Sequence, residues 1–215
     1  MMAAVVGARF DMDAKLVAWV RAVKSRNRWR ADAGLPVLWV FTDDDRLPDP
    51  RAVLQGLPRG LCGVVLRSRQ KLDSGVLLDV ARRCRGRRVA LVLAQLGGSG
   101  PRNDSGVHIG RHGRALRNSC LVTASARSPA GMVRAAKSAA DCVFLSPVFA
   151  TRSHPGAASL GAARWAHMAR ASRVPPFALG GITPESVSRL PKFCRGVGVI
   201  DAALPCCASV PNRED

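Results

Sequence analysis

Apolar residues along this chain gather in short, unbroken runs and rarely alternate with polar ones. Eight such runs stand at 37–41, 63–66, 89–94, 107–109, 120–124, 142–146, 176–179 and 197–200. Continuous apolar runs of this length are expected of parallel strands buried on both faces. Helical patterns separate several of them. In "SPAGMVRAAKSAA", Ser128 predicts an N-cap and Pro129 the first helical position, with Met132, Val133, Ala136 and Ala140 sharing one face. "TPESVSRL" repeats the device with Thr183 and Pro184. "LDSGVLLDVARRC" and "SLGAARWAHMARA" also predict helices, and "DAKLVAWVRAVKSR" predicts one before the first strand, as a lid on the bottom of a barrel. "GGSGPRNDSG", between runs three and four, is too polar and Gly-rich for a helix.

Eight strands with mostly helical connections predict a single-domain α/β fold, a (β/α)8 TIM barrel with an extra N-terminal helix. At 215 residues its helices must be short. A doubly wound open sheet is the alternative. The expected division is 1–36 for the N-terminal extension and helix, 37–205 for the barrel, and 206–215 for a frayed tail.

Composition narrows this picture. A hydrophobic share of 47% with 22% charged residues argues against disorder. No apolar stretch approaches the roughly 20 residues that span a bilayer, and the start "MMAAVVGARFDMDAKL" does not read as a signal peptide. A cytoplasmic protein without a membrane partner is expected. The seven cysteines are odd in number and form no Cys-x-x-Cys pair, so reduced, structural thiols are expected rather than a zinc site or a disulfide framework. The formal net charge is +18, and of 33 basic residues five are Lys, which leaves 28 Arg. The arginines are scattered, Tyr is absent, and stacking motifs are missing, so a basic nucleic-acid-binding barrel ranks last among the readings. The charge favours anionic ligands.

In a barrel, the residues after each strand meet at one face, where ligands bind. That rule brings Arg67, Arg69, Arg111, Arg127 and Arg152 together with Ser125, Thr151, Ser153 and His154. Guanidinium groups grip phosphate oxygens in pairs. Gly180 and Gly181, in "GGIT", let the backbone approach an anion closely, or else form a tight turn. His154, beside Pro155, also fits a turn, and His108 reads as a satisfied core histidine. Asp43, Asp44 and Asp45 either cap the next segment or hold a metal.

"DCVFLSPVFATRSHPGAASLG" followed by "VPPFALGGITPESVSRL" resembles the thiamine phosphate synthase family and its thiazole tautomerase (TenI) branch; "GVHIG", "VVLRSR" and "LWVFTD" fit as well. The likeness runs over about residues 37–203. It implies a (β/α)8 barrel that joins hydroxymethylpyrimidine diphosphate to thiazole phosphate with Mg2+, releasing diphosphate. The phosphorylated pyrimidine and thiazole are then the expected partners, and no oligomeric state is implied.

Carried over by resemblance, the diphosphate motif Gln-x-Arg-x-Lys falls on Val65, Arg67 and Arg69, with Arg152 and His154 completing the cradle. Thr151, Ser153, Gly180, Gly181 and Ile200 fall on the phosphate site. Ser125 matches a catalytic strand-five Ser, and His154 is the second expected catalytic residue. The family's metal-binding positions fall on Gln95 and Gly113, neither a carboxylate, so Mg2+ binding is expected to be weakened. Asp201 puts a carboxylate where the family has Ser, and Arg127 stands where the tautomerases have His. A family member that binds phosphorylated thiazole or pyrimidine with little or no turnover is the second reading. His154 in place of Lys should make diphosphate binding sensitive to pH.

Overall fold

The structure is a computed structural model that describes residues 12–28, 30, 32–68, 73–94, 105–110, 121–152, 156 and 158–204. Eight parallel strands close into a barrel: β1 (Leu38–Phe41), β2 (Cys62–Leu66), β3 (Ala90–Ala94), β4 (Gly106–Ile109), β5 (Val122–Ala126), β6 (Cys142–Leu145), β7 (Pro176–Leu179) and β8 (Val197–Val199). β1 pairs with both β2 and β8, which excludes the open sheet. The helices are α1 (Ala14–Asn27), α2 (Arg51–Leu54), α3 (Ser74–Arg87), α4 (Pro129–Lys137) and α5 (Gly161–Arg170). Two 3-10 turns, Ser186–Arg189 and Asp201–Ala203, follow β7 and β8.

The strands face apolar groups on both sides, as their unbroken runs require. Outward residues such as Val40, Val64, Val143 and Leu145 pack under the helices. Inward residues build a separate cluster of Trp39, Phe41, Val65, Val92, Cys142, Phe144 and Phe177. Its rings meet edge to face, with Phe41 and Phe144 centroids 4.9 Å apart and Trp39 and Phe144 5.9 Å apart. Small residues opposite make room: a Cβ on Gly63 would lie 2.5 Å from the Trp39 ring, and one on Gly198 2.7 Å from Phe41. The barrel is thus a filled core, and ligands are confined to its ends.

Capping follows the sequence closely. The Asp13 carboxylate accepts from the Lys15 and Leu16 amides, Asp73 from Gly75 and Val76, and the Ser128 hydroxyl from Gly131. Three expectations change. Helix α1 buries Leu16, Val20 and Val23 in the outer layer beside the turn Ser186–Arg189; the segment after it brings Leu35 against the interior cluster and makes the bottom closure. Arg195 pairs with Asp32 and donates to the Asn27 side chain, which ties α1 to the segment leading into β8. The expected helix after β7 is a single 3-10 turn, because Pro191 holds Leu190 extended at φ −76° and ψ 141°. β5 begins and ends two residues later than its apolar run.

Cys62, Cys84, Cys142 and Cys194 are buried, unbridged thiols. Burial pushes Cys62 and Cys194 up to about 12 and Cys84 to about 11, so all three stay protonated. Among the described residues, no helix is long and apolar enough to cross a membrane.

Candidate active site

The strand ends converge on a cavity of about 1230 Å³ at the C-terminal face of the barrel, lined from β1, β2, β3, β5, β6, β7 and β8. Its floor is the top of the aromatic core, through Phe41 and Leu179. Just below, His108 on β4 is buried between two hydroxyls of β5: Nδ1 is 2.8 Å from Thr123 Oγ1 and Nε2 is 2.9 Å from Ser125 Oγ. Burial, with a smaller push from Arg67, holds His108 down to about 3, so the ring is neutral and one nitrogen donates while the other accepts. It is the satisfied core histidine the sequence suggested. Ser125 therefore belongs to β5 itself, half-buried under the cavity, rather than to the loop after the strand.

Arg67 leaves β2 into the cavity. Its amide donates to Thr42 Oγ1 at 2.6 Å, the Thr42 hydroxyl donates back to its carbonyl at 2.7 Å, and its Nε donates to the Thr42 carbonyl at 2.9 Å. The guanidinium sits 5.4 Å from the Phe41 ring centroid and 3.8 Å from the Asp43 carboxylate. Burial lowers the Arg67 pKa, partly opposed by Asp43. The side chain is thus held by the backbone at its base, with its charged end toward the cavity.

The β1 loop carries a second cation that sequence reasoning missed. Residues 43–47 form a tight turn closed by two backbone bonds, Asp43 N to Leu47 O at 3.1 Å and Leu47 N to Asp43 O at 2.9 Å. On this turn Arg46 donates from Nε and Nη2 to the two Asp43 oxygens at 3.3 and 3.0 Å, and from Nη1 to Asp201 Oδ1 at 2.9 Å. Asp43 also accepts from the Asp45 and Arg46 amides, and the Arg46 hydrogen bonds hold its carboxyl at about 2. The capping alternative for the acidic run therefore fits Asp43. Asp201, on the turn after β8, is paired with Arg46 as it enters the cavity.

The opposite wall comes from β6 and β7. Ser146, Pro147, Ala150, Thr151 and Arg152 line it, with Gly180 and Gly181 beneath. The two loops are stitched together: Val148 N donates to Leu179 O at 2.9 Å, Phe149 N to Gly180 O at 3.1 Å, Leu160 N to Pro147 O at 2.9 Å and Gly161 N to Val148 O at 2.8 Å. Gly180 and Gly181 have φ of +93° and +65°, and a Cβ on either would collide with residues 147–150. The glycines are required both by the turn and by this close approach.

Of the sequence-predicted residues, Arg67, Arg127, Thr151, Arg152, Gly180, Gly181 and Ile200 all line the cavity. Arg164 of α5 and Thr183 join them, and strand-end logic did not include either. Arg69, Gln95, Arg111, Gly113, Ser153 and His154 lie outside the described residues. Among the described residues, no group of three or more His, Cys, Asp or Glu could hold a metal ion.

A family model described as thiamine monophosphate synthase matches residues 42–203. The thiamine-phosphate synthase of Laribacter hongkongensis (strain HLHK9) is 32% identical over 153 residues, covering 67% of this chain and 71% of that protein. A protein of Aquifex aeolicus (strain VF5), provisionally named thiamine-phosphate synthase 2, is 39% identical over 67 residues, covering 31% of this chain and only 36% of that relative. The solved structure of a thiamine phosphate pyrophosphorylase from Pyrococcus furiosus shares the fold, with a TM-score of 0.62 at 18% identity over 80% of this chain and 88% of that one.

Proposed function

The chain belongs to the thiamine monophosphate synthase family, and from that premise we propose that its cleft couples hydroxymethylpyrimidine diphosphate with thiazole phosphate to give thiamine phosphate and diphosphate. The observation that carries this reading is the meeting of Arg67, Thr151, Arg152, Gly180 and Gly181 in one cavity inside the matched span. Arg67 and Arg152, with Arg69 and His154, cradle the diphosphate. Thr151, Ser153, Gly180, Gly181 and Ile200 receive the thiazole phosphate, and Ser125 lies under the pyrimidine.

In this reaction the bond from the pyrimidine methylene carbon to the diphosphate oxygen breaks, and its electron pair leaves with the diphosphate. The thiazole nitrogen lone pair then closes on the methylene cation. The protein's work is to hold two anions in line and to stabilise charge growing on the leaving oxygen, which arginines aimed at that oxygen can do.

Mg2+ would add Lewis-acid stabilisation of the diphosphate. Among the described residues no group of three or more His, Cys, Asp or Glu would cage it, and Asp43 is engaged by Arg46; by sequence, the family's metal positions, Gln95 and Gly113, carry no carboxylate. Weak Mg2+ binding is therefore part of the proposal, tested by titration calorimetry with diphosphate present. A cytoplasmic location fits the buried, unbridged thiols.

The deciding experiment is a condensation assay from the two phosphorylated substrates, with and without Mg2+. Thiamine phosphate formation supports the synthase. Saturable binding of either substrate with no product supports the second reading, a binding protein on the same barrel.

A further inference from the structure

We propose that Arg46 is a phosphate-binding residue of the cleft, fixed by Asp43 and masked by Asp201, whose carboxylate gives way when a ligand phosphate arrives. The inference rests on the reading of this cleft as a phosphate site, and adds to it a residue outside the family motifs.

The geometry separates the two carboxylates by role. Asp43 grips Arg46 along one edge, through both Nε and Nη2, from a turn closed by two backbone bonds. Such a two-point grip fixes the plane of the guanidinium. Asp43 is itself held by two backbone amides and is 21% exposed, so it is a positioning residue. Asp201 differs on each count. It touches Arg46 through one oxygen, from a three-residue 3-10 turn, and its side chain is 37% exposed. A single, partly hydrated ion pair is the weaker of the two contacts.

A phosphate group carries more charge and more acceptor oxygens than a carboxylate. It can therefore replace Asp201 at Nη1 without disturbing the Asp43 grip. Arg46 and Asp201 both line the cavity together with Arg67, Gly180 and Ile200, so the exchange happens inside the site. Asp201 acts as a built-in competitor, and it lowers the affinity of the cleft for anions at the β8 side.

Inorganic diphosphate is the probe, with binding measured by calorimetry on the full chain in the wild type, Asp201→Asn, Arg46→Gln and the double variant. Asp201→Asn should bind about 3–10-fold tighter, Arg46→Gln about 5–10-fold weaker, and the double variant should match Arg46→Gln alone. The double variant matters because removing any negative charge from the cleft raises anion affinity through the general field. A gain from Asp201→Asn that survives in the Arg46→Gln background would show that field alone and overturn the proposal, as would an unchanged Asp201→Asn. If Arg46→Gln fails to fold, Arg46→Lys keeps the charge without the two-point grip and should erase most of the Asp201→Asn gain. Diphosphate binding by neither wild type nor Asp201→Asn would sink the phosphate site itself. Correct binding behaviour without thiamine phosphate formation would sink only the condensation.

Discussion

Replacing Gly181 by Ala tests whether the two glycines after β7 are there for the turn or for the wall they press against. Gly60 is the control. Its φ is +69°, close to the +65° of Gly181, yet a Cβ on Gly60 would meet nothing within 4 Å. At both sites Ala incurs about 1–2 kcal/mol for the left-handed backbone, offset by about 0.4–1 kcal/mol from a less flexible unfolded chain. Gly60→Ala should therefore destabilise by about 1 kcal/mol. At Gly181 the new Cβ would also overlap the Ala150 carbonyl and lie 2.7 Å from Phe149 Cβ, atoms of a loop bonded in place. Overpacking adds about 1–3 kcal/mol, for a total near 3 kcal/mol. With a urea slope of about 2 kcal/mol/M, the midpoint should fall by about 0.5 M for Gly60→Ala and about 1.5 M for Gly181→Ala. Diphosphate affinity should drop in Gly181→Ala alone, because residues 149–151 must move and Arg152, next in the chain and part of the diphosphate cradle, moves with them. Equal midpoint shifts with unchanged affinity in both variants would refute the argument.

Three further outcomes follow from the electrostatics. His108 is held at about 3 in the folded protein against about 6.5 unfolded, so its neutral burial stabilises fully above pH 6.5 and this is lost progressively toward pH 3; its ring NMR signals should stay constant from pH 8 to 5, and a midpoint near 6.5 would mean that the ring reaches water. Asp43, held at about 2, contributes about 1–2 kcal/mol present above its unfolded value of 3.8 and lost as pH falls to 2; Asp43→Asn should lack that acid-sensitive increment, and parallel acid denaturation curves would argue against the Arg46 grip. Asp32→Ala leaves Arg195, 12% exposed, without its carboxylate and should cost about 3 kcal/mol in urea unfolding, whereas a loss below 1 kcal/mol would mean the pair contributes little.

The barrel was legible because strands buried on both faces cannot alternate, so runs such as 142–146 and 176–179 stand out directly. β5 was harder to bound. Thr123 and Ser125 look like the polar end of a strand, but they point inward to His108 and form the strand's own polar seam. Arg67 and the glycines were found because they directly follow strands, and Thr151 because it lies in the loop that follows β6. Arg46 was hidden for two reasons. It follows an acidic run that reads as a cap, and its partner Asp201 is 155 residues away, brought near only when β8 closes on β1.

The stitching of residues 147–150 to Leu179, Gly180 and the start of α5 bears on how this cleft can be rebuilt. Its two walls differ in modularity. The β1 turn is closed on itself by two backbone bonds between Asp43 and Leu47, so it can be exchanged as one segment, provided the replacement keeps the Asp43–Arg46 pair and a buried side chain at Leu47. The β6 loop has no such independence: its backbone partners lie on β7 and α5, and its close packing requires glycine at 180 and 181. A transplanted β6 loop brings its phosphate contacts into register only if the β7 glycines and the first turn of α5 travel with it. The unit of redesign on that side is therefore about three segments long, and on the other it is one.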